Sequence, residues 1–484
     1  ILNEPATAGV QMEILSGTNV VKTFSATNGQ QGTLVGTNQF LWDGTDSRGS
    51  NVMPGLYSFS ITAGAIGYTD WTNITADGAN FFVLFPTGID VNKNTNSLYY
   101  GRVFVSDASN SRGIHKFNAD GSPADEGGFS TGGWLWPPSQ SSPWKIAIGA
   151  SDTVYIDDWA AGQGTVLAFD EEMAGFQIAL GQEDYPTNAI SLSGLYISGS
   201  ATNEQIWMTD WEPTAESDGI LRWNLQTDGL VGVNTNASVV VASTNSDLGN
   251  APYDVAVARN GAIYVIQYVS LPDPTTNTVL CFPPWTNALP PQTRALWAIG
   301  AGDTNMVGVS GVAVDPSGAF VAIAVQGCGN DIKEGYTNGN VSIFSATNGQ
   351  LIKRFVVALG MGAQDQFLDV AWDAVGNLYA TDFDASAWRV YSPPGPNQAT
   401  TTAVAQIRAL ASLQTPRLSQ ASAATNGFGL WLHGQSDVGY VVQVSTDLTN
   451  WSDVLTNYDT APDRFISPPP SADAQAFYRA VVRH

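Results

Sequence analysis

Between Gly88 and Ile407 one pattern of short strands returns six times, at intervals of roughly 45 to 60 residues, the spacing of propeller blades. A chain built this way has few options, because one small sheet cannot bury its own apolar face and must stack on copies of itself. The copies open at Gly88-Ile89-Asp90-Val91, Trp144-Lys145-Ile146-Ala147, Ser193-Gly194-Leu195-Tyr196, Tyr253-Asp254-Val255-Ala256, Ser310-Gly311-Val312-Ala313 and Leu368-Asp369-Val370-Ala371. Each continues into a second strand: Val103–Asp107, Val154–Asp158, Ile206–Asp210, Ile263–Gln267, Ala322–Gln326 and Leu378–Asp382. A third follows, from Ile114–Phe117 in the first copy to Trp388–Tyr391 in the last. Helical periodicity is nearly absent, and apolar residues alternate in runs bounded by Gly, Asn, Asp and Pro. The expectation is an all-β chain centred on a six-bladed β-propeller over residues 67–410.

The repeat carries chemistry in two columns. Its second strands end on Asp107, Asp158, Asp210 and Asp382, with Gln267 and Gln326 in the other two copies. A ring of such acids near one face could chelate Ca²⁺, which takes several oxygen ligands. An acid at a strand end can equally bond the amides of the following turn and would recur because the turn recurs, and this is the stronger reading. Phe104, Tyr155, Trp207, Tyr264 and Tyr379, three residues earlier, read as packing between blades. Trp159, Trp211, Tyr268 and Phe383, one residue later, either cap the core or present flat faces to a ligand such as a sugar ring. In the connection Trp134-Leu135-Trp136-Pro137-Pro138, two indoles beside a proline pair suggest an exposed, stiff binding surface. The hexapeptide Ser-Ala-Thr-Asn-Gly-Gln occurs at Ser25–Gln30 and Ser345–Gln350, and its Asn-Gly pair reads as a hairpin tip in both places.

Three resemblances follow from these residues. The blade Leu368-Asp369-Val370-Ala371-Trp372-Asp373 with Gly376-Asn377-Leu378-Tyr379-Ala380-Thr381-Asp382 resembles the NHL-repeat propellers, a likeness covering about two thirds of the chain. It speaks for fold and says little about activity. Phe40-Leu41-Trp42-Asp43-Gly44-Thr45-Asp46-Ser47-Arg48-Gly49, followed by Val52 and Pro54-Gly55-Leu56-Tyr57, is similar to the FlgD-type immunoglobulin-like module of exported bacterial proteins. There Trp42 would fill a core, Asp43 and Asp46 would bond turn amides, and Gly49 and Gly55 would sit where a Cβ is forbidden. The likeness further implies that the opening strand, Ile1, Leu2, Asn3, Glu4 and Pro5, is cut short, leaving backbone groups that a second chain could satisfy by strand addition. The segment Tyr440–Trp451 with Phe477–Ala480 resembles a β-module at the C-termini of large secreted bacterial proteins, where it serves sorting, anchoring or display. The organisation expected is a propeller flanked by two small Ig-like sandwiches, at 1–66 and 426–484, with a Ser-, Ala- and Gln-rich linker at 411–425.

Charge excludes some partners. With 19 Lys+Arg against 43 Asp+Glu, the formal charge of -24 repels nucleic acid and anionic lipid. Charged residues are only 13%, so neutral polar groups cover the surface, as in many exported β-rich proteins. No apolar run reaches the length of a bilayer span, and the sequence opens without a signal-peptide pattern, as expected of a processed or trimmed chain. Cys281 and Cys328 lie too far apart for a metal knuckle and read either as a disulfide between blades or as two buried thiols. His115, His433 and His484 fall in separate places and assemble no catalytic triad or metal set. Acid pairs such as Asp157-Asp158 point to opposite faces of a strand and identify no glycosidase site. The reading that results is a secreted, non-enzymatic protein, either a structural subunit of a cell-surface or filamentous assembly or a binder of extracellular polysaccharide. The alternative is a carbohydrate-active enzyme, a lyase or hydrolase using propeller-face acids and Trp residues.

Overall fold

The computed structural model describes the chain apart from residues 76–78, 110–112, 125–131, 137–141, 159–164, 182–183, 185–191, 212–218, 232–236, 249–250, 270–274, 288, 301, 328–337, 356–365, 408–415, 421–428, 435–439, 458–462, 468–474 and 483–484. It divides into two compact units: Ile1–Leu15, Thr23–Leu41 and Ser58–Ala403 form one, and Ser16–Lys22, Trp42–Tyr57 and Val404–His484 the other.

The first unit holds the six blades, each a four-stranded antiparallel sheet. From the innermost strand outward, blade one is Pro86–Val91, Val103–Asp107, Gly113–Phe117 and Gly133–Leu135. Blade two is Pro143–Ile148, Val154–Asp158, Val166–Phe169 and Phe176–Leu180, and blade three Leu192–Ser200, Asn203–Asp210, Ile220–Asn224 and Ser238–Val241. Blade four is Pro252–Val257, Ile263–Gln267, Asn277–Phe282 and Trp297–Gly300, and blade five Val309–Val314, Phe320–Gly327, Asn338–Ser345 and Leu351–Phe355. Blade six takes three strands in order, Phe367–Trp372, Leu378–Asp382 and Ala387–Ser392. Its outermost strand is Thr72–Asn73, which precedes blade one in the chain and pairs with Tyr391 and Ser392. The two ends of the repeat are thereby stitched into one sheet, and Trp71 anchors the stitch edge-on against Phe320, Phe355 and Trp372.

The core is six apolar clusters, one between each pair of neighbouring blades. Blades one and two share Phe104, Ile114, Ile146 and Leu167, and blades six and one close the ring through Val83, Ile89, Phe117, Tyr379 and Trp388. The aromatics expected to pack between blades, Phe104, Tyr155, Trp207, Tyr264 and Tyr379, are all at least 97% buried. Each such ring contributes on the order of 2 kcal/mol. Among the two hexapeptides, Ser345–Gln350 is a hairpin tip, with Phe344 opposite Leu351. Ser25–Gln30 instead ends the strand Asn19–Ala26 and turns on Gln30 N–H to Thr27 carbonyl and Thr33 N–H to Gln30 carbonyl bonds. The same six residues set the turn, and the partner strand decides whether it closes a hairpin.

A further sheet is ordered Asn19–Ala26, Gly9–Ser16, Gly55–Tyr68 and Gly395–Ile407, with Gly9 opposite Gly64 and Leu15 opposite Ser58. In the second unit Trp42 is half-buried edge-on to Tyr57 at 5.3 Å, and its indole donates to the Thr45 carbonyl at 2.8 Å. Asp43 accepts the Thr45 amide at 3.1 Å, and Asp46 accepts those of Arg48 and Ser50 at 2.8 Å. Gly49 has φ +80°, whereas Gly55 has no left-handed φ and a Cβ there would meet only the Tyr57 ring, at 4.0 Å. Two three-stranded sheets near the C-terminus share Leu430, Leu432, Tyr440, Val442 and Ile466 and form a small β-sandwich. Among the described residues no helix is long and apolar enough to cross a membrane.

Candidate functional site

The ring axis is organised by one position. The third residue of the innermost strands reads Gly88, Lys145, Gly194, Asp254, Gly311, Asp369, so glycine alternates with a charged residue around the ring. Each glycine lets the next blade come close. A Cβ on Gly88 would lie 2.1 Å from the Trp144 carbonyl oxygen, one on Gly194 2.6 Å from Asp254 Cα, and one on Gly311 2.8 Å from Asp369 Cα. The charged side chains then meet on the axis. Lys145 Nζ lies 2.7 Å from Asp369 and 3.1 Å from Asp254, and donates to the carbonyls of Ser310 at 2.7 Å and Leu368 at 3.2 Å. The carboxylates also cross to their neighbours just past the glycines. Asp254 accepts Val312 N–H at 3.1 Å, and Asp369 accepts Ile89 N–H at 3.0 Å.

All three groups are at least 96% buried. Burial alone would push the Lys145 ammonium down, but the carboxylates of Asp254 and Asp369 outweigh it and hold the group protonated. One ammonium cannot neutralise two carboxylates in a dry site. Burial accordingly raises Asp254 against the pull of Lys145, and raises Asp369 to about 7. Behind them Asp157 accepts the Lys145 backbone N–H, and burial drives its carboxyl well above the usual range.

At one end of this knot lies a mouth of about 490 Å³ lined by Phe85, Trp144, Trp211, Tyr253, Tyr268 and Phe383, with Thr87, Gln326 and Gln366 as its polar groups. Phe85 stacks on Phe383 at 5.2 Å, and Tyr253 meets Trp211 at 6.0 Å and Tyr268 at 5.5 Å. Five of the six rings are exposed or half-buried, Tyr253 being the covered one. At the other end is a cavity of about 630 Å³, lined by residues including Asp90, Lys93, Tyr196, Arg222, Arg259 and Asp315.

Of the residues singled out by sequence, Trp211, Tyr268 and Phe383 converge on the aromatic mouth, and Trp159 lies outside the described residues. Trp134 is half-buried and packs edge-on to Phe169 and Phe176. Trp136, expected to stand exposed, is 5% exposed and donates its indole N–H to Asp158 at 3.2 Å. Its large apolar ring is better spent between blades one and two, provided the N–H finds an acceptor. Two acids of the recurrent column, Asp107 and Asp382, bond the turn that follows them, whereas Asp158 bonds the entry to the innermost strand of its own blade. Asp107 accepts Ser109 N–H at 2.8 Å and faces His115 at 3.2 Å, Asp158 accepts Ser142 N–H at 2.6 Å, and Asp382 accepts Ala385 N–H at 3.2 Å and Arg389 Nε at 2.8 Å. Asp210, fully buried, ends the second strand of blade three. Among the described residues no group of three His, Cys, Asp or Glu is placed to hold a metal ion.

The opening segment packs within its own unit. Leu2 exchanges both backbone bonds with Gly36 at 3.0 and 2.8 Å, and the carboxylate of Glu4 accepts from Ser392 and Asn397. Ile1, Leu2, Asn3, Glu4 and Pro5 line a small crevice with Tyr379 and Asn397. Cys281 is a buried thiol, pushed up to about 11 by burial, and Cys328 lies outside the described residues.

Sequence reasoning passed over Lys145, Asp254, Asp369, Trp144, Phe85 and Tyr253. The signal for the axial group was present in the aligned strand openings, where a glycine alternates with a charge, but it shows only when position three is compared across all six copies. No family model matches the sequence, and no curated protein matches it. Among solved structures the chain is similar to the calcium-binding protein regucalcin of Agrobacterium tumefaciens, at 11% identity over 66% of this chain and 92% of that one, TM-score 0.41. It is also similar to a carbohydrate-active enzyme of Trichoderma reesei, at 11% identity over 68% and 99%, TM-score 0.40. A third is a gluconolactonase of Xanthomonas campestris, at 15% identity over 75% and 96%, TM-score 0.33. Likeness of this degree carries nothing about chemistry, and the six blades themselves establish the propeller.

Proposed function

We propose that the aromatic mouth binds a saccharide unit of an extracellular polymer, and that the protein is a secreted, non-enzymatic binder. The observation that carries this reading is the meeting of six aromatic rings from several blades around a cavity whose polar groups are amides and a hydroxyl. Flat apolar faces take the C–H face of a sugar ring, and neutral amides read its hydroxyls without the desolvation cost of a charge. Tyr253 is held protonated by burial, so that ring offers no base at neutral pH. The test is titration of the full chain with xylan, pectin, alginate, chitin and β-glucan. Binding to one of them should weaken about tenfold in Trp211→Ala, the loss of one stacked ring. Equal binding by Trp211→Ala, or no binding to any neutral or acidic glycan, would remove the proposal.

The second reading is a carbohydrate-active enzyme acting at the same mouth. It is favoured by the His115–Asp107 pair and the Arg389–Asp382 pair, which sit one residue from Ala108 and Phe383 of the lining. An imidazole oriented by a carboxylate is a plausible proton carrier. The same glycans, assayed for new reducing ends or unsaturated uronides, separate the two: product formation that is lost in His115→Ala selects the enzyme, and binding without product selects the binder.

A further inference from the structure

We infer that the cavity at the opposite end of the axis is a second binding site, selective for a small carboxylate. The argument begins with charge. Four carboxylates line this cavity and each is already engaged within the chain. Asp254 and Asp369 hold Lys145 and the Val312, Val255 and Ile89 amides, Asp90 accepts Lys93 and the Ile148 and Val91 amides, and Asp315 accepts the Phe320 and Ser317 amides. The cations are not matched in the same way. Lys145 and Lys93 are consumed by those acids, whereas Arg222 and Arg259 have no carboxylate partner among the described residues. The cavity holds four carboxylates and four cations, an even balance in a chain of charge -24, and two of those cations are left without a carboxylate.

Arg222 makes the case specific. It is 93% buried, and burial is the one cause that shifts it, pulling the guanidinium below its ordinary value with no counter-charge to restore it. Its Nε has no hydrogen-bond partner among the described residues, while an Nη donates to Asn287. The group lies between two indoles, 5.4 Å from the ring of Trp207 and 4.8 Å from that of Trp285. Both indoles are fixed in turn, Trp207 by Ser198 at 2.7 Å and Trp285 by the Pro290 carbonyl at 2.9 Å. A buried cation short of acceptors is costly, and one clamped between aromatic faces is preorganised for a planar anion. Arg259, exposed at the rim, supplies a second positive group. About 630 Å³ is room for a monosaccharide acid or a comparable small carboxylate.

The probe is sodium glucuronate, titrated calorimetrically into the full chain, with glucose and sodium sulfate as controls. Glucuronate should bind and glucose should not. Arg222→Lys, which keeps the charge and loses the fork, should weaken binding about tenfold, and Arg259→Ala about threefold. Trp211→Ala, at the aromatic mouth, should leave glucuronate binding unchanged. Absence of glucuronate binding would overturn the inference, as would folded Arg222→Lys and Arg259→Ala proteins that bind as the parent does. Sulfate binding as tightly as glucuronate would overturn the assignment to carboxylates, and loss of binding in Trp211→Ala would place the ligand at the mouth instead. Should Arg222→Lys fail to fold, Arg259→Ala decides alone, an unchanged affinity counting against the site.

Discussion

The two ends of the ring axis are made by the same six innermost strands, yet they differ in kind. At the aromatic mouth the second residues of those strands, Thr87, Trp144, Tyr253 and Leu368 among them, meet residues that close the second strands, Trp211, Tyr268 and Phe383. At the other end the later residues, Ile89, Asp90, Tyr196 and Trp372 among them, open on arginine and lysine. Between them sits Lys145, bonded to the carbonyl of Leu368, which lines the mouth, and to Asp254 and Asp369, which line the cavity. A small shift along a strand thus exchanges a neutral, ring-lined surface for a charged one. Chemistry at the ends of a propeller is set by position along the strand, and the repeat guarantees only that the positions coincide.

If the axial knot is what keeps the two ends distinct, removing its cation should have the largest effect. Lys145→Met leaves two buried carboxylates without a counter-charge and should cost about 3–5 kcal/mol in denaturant unfolding. Adding Asp254→Asn and Asp369→Asn should return much of that loss. A single variant costing under about 1 kcal/mol would mean that Lys145 does not organise the axis. A somewhat smaller effect should follow from pH. The Asp369 carboxyl titrates near 7 in the folded chain against 3.8 ordinarily. Below about pH 4 it is protonated whether folded or not. Between about 4 and 7 the unfolded chain gives up the proton that the folded chain keeps, so stability falls as pH rises, and above about 7 the cost is constant. The fall is on the order of 2–4 kcal/mol, shared with Asp254 through Lys145. Asp107, held below its ordinary range by His115 and Ser109 against the opposing effect of burial, works the other way and is felt only as pH falls below about 4. Melting curves from pH 4.5 to 8 should slope downward, and Asp369→Asn should flatten them.

The ring was legible in the sequence because a blade must repeat its strand lengths and its buried aromatics to close. Val103–Asp107 or Leu378–Asp382 could be placed to the residue. The stitch by Thr72–Asn73 was not legible, since two residues make no periodicity and their partner lies more than 300 residues away. At the mouth, Trp211, Tyr268 and Phe383 stood out because they share a column, whereas Phe85 and Trp144 come from turns and strand starts of different blades. Trp134 and Trp136 misled because proline beside tryptophan reads as surface, although burying the indole of Trp136 against Asp158 gains more. Arg222 gave no sign at all: its environment is assembled from blade three and the connection between the third and fourth strands of blade four.

The smallest effect should come from the glycines that let the knot form. Gly88→Ala would drive a Cβ to 2.1 Å from the Trp144 carbonyl oxygen, a backbone atom that cannot swing aside. Blade one would have to withdraw from blade two at the axis, carrying with it the Ile89 amide that Asp369 accepts. The expected cost is about 1–3 kcal/mol, typical of overpacking. Gly175→Ala is the control, because a Cβ there has nothing within 4 Å and no left-handed φ to strain. If the two substitutions shift the denaturation midpoint equally, close approach of the blades does not matter to the ring. If Gly88→Ala alone shifts it and also flattens the pH slope, then the glycines and the charges act as one device, and the spacing of the blades sets the proton affinity at the axis.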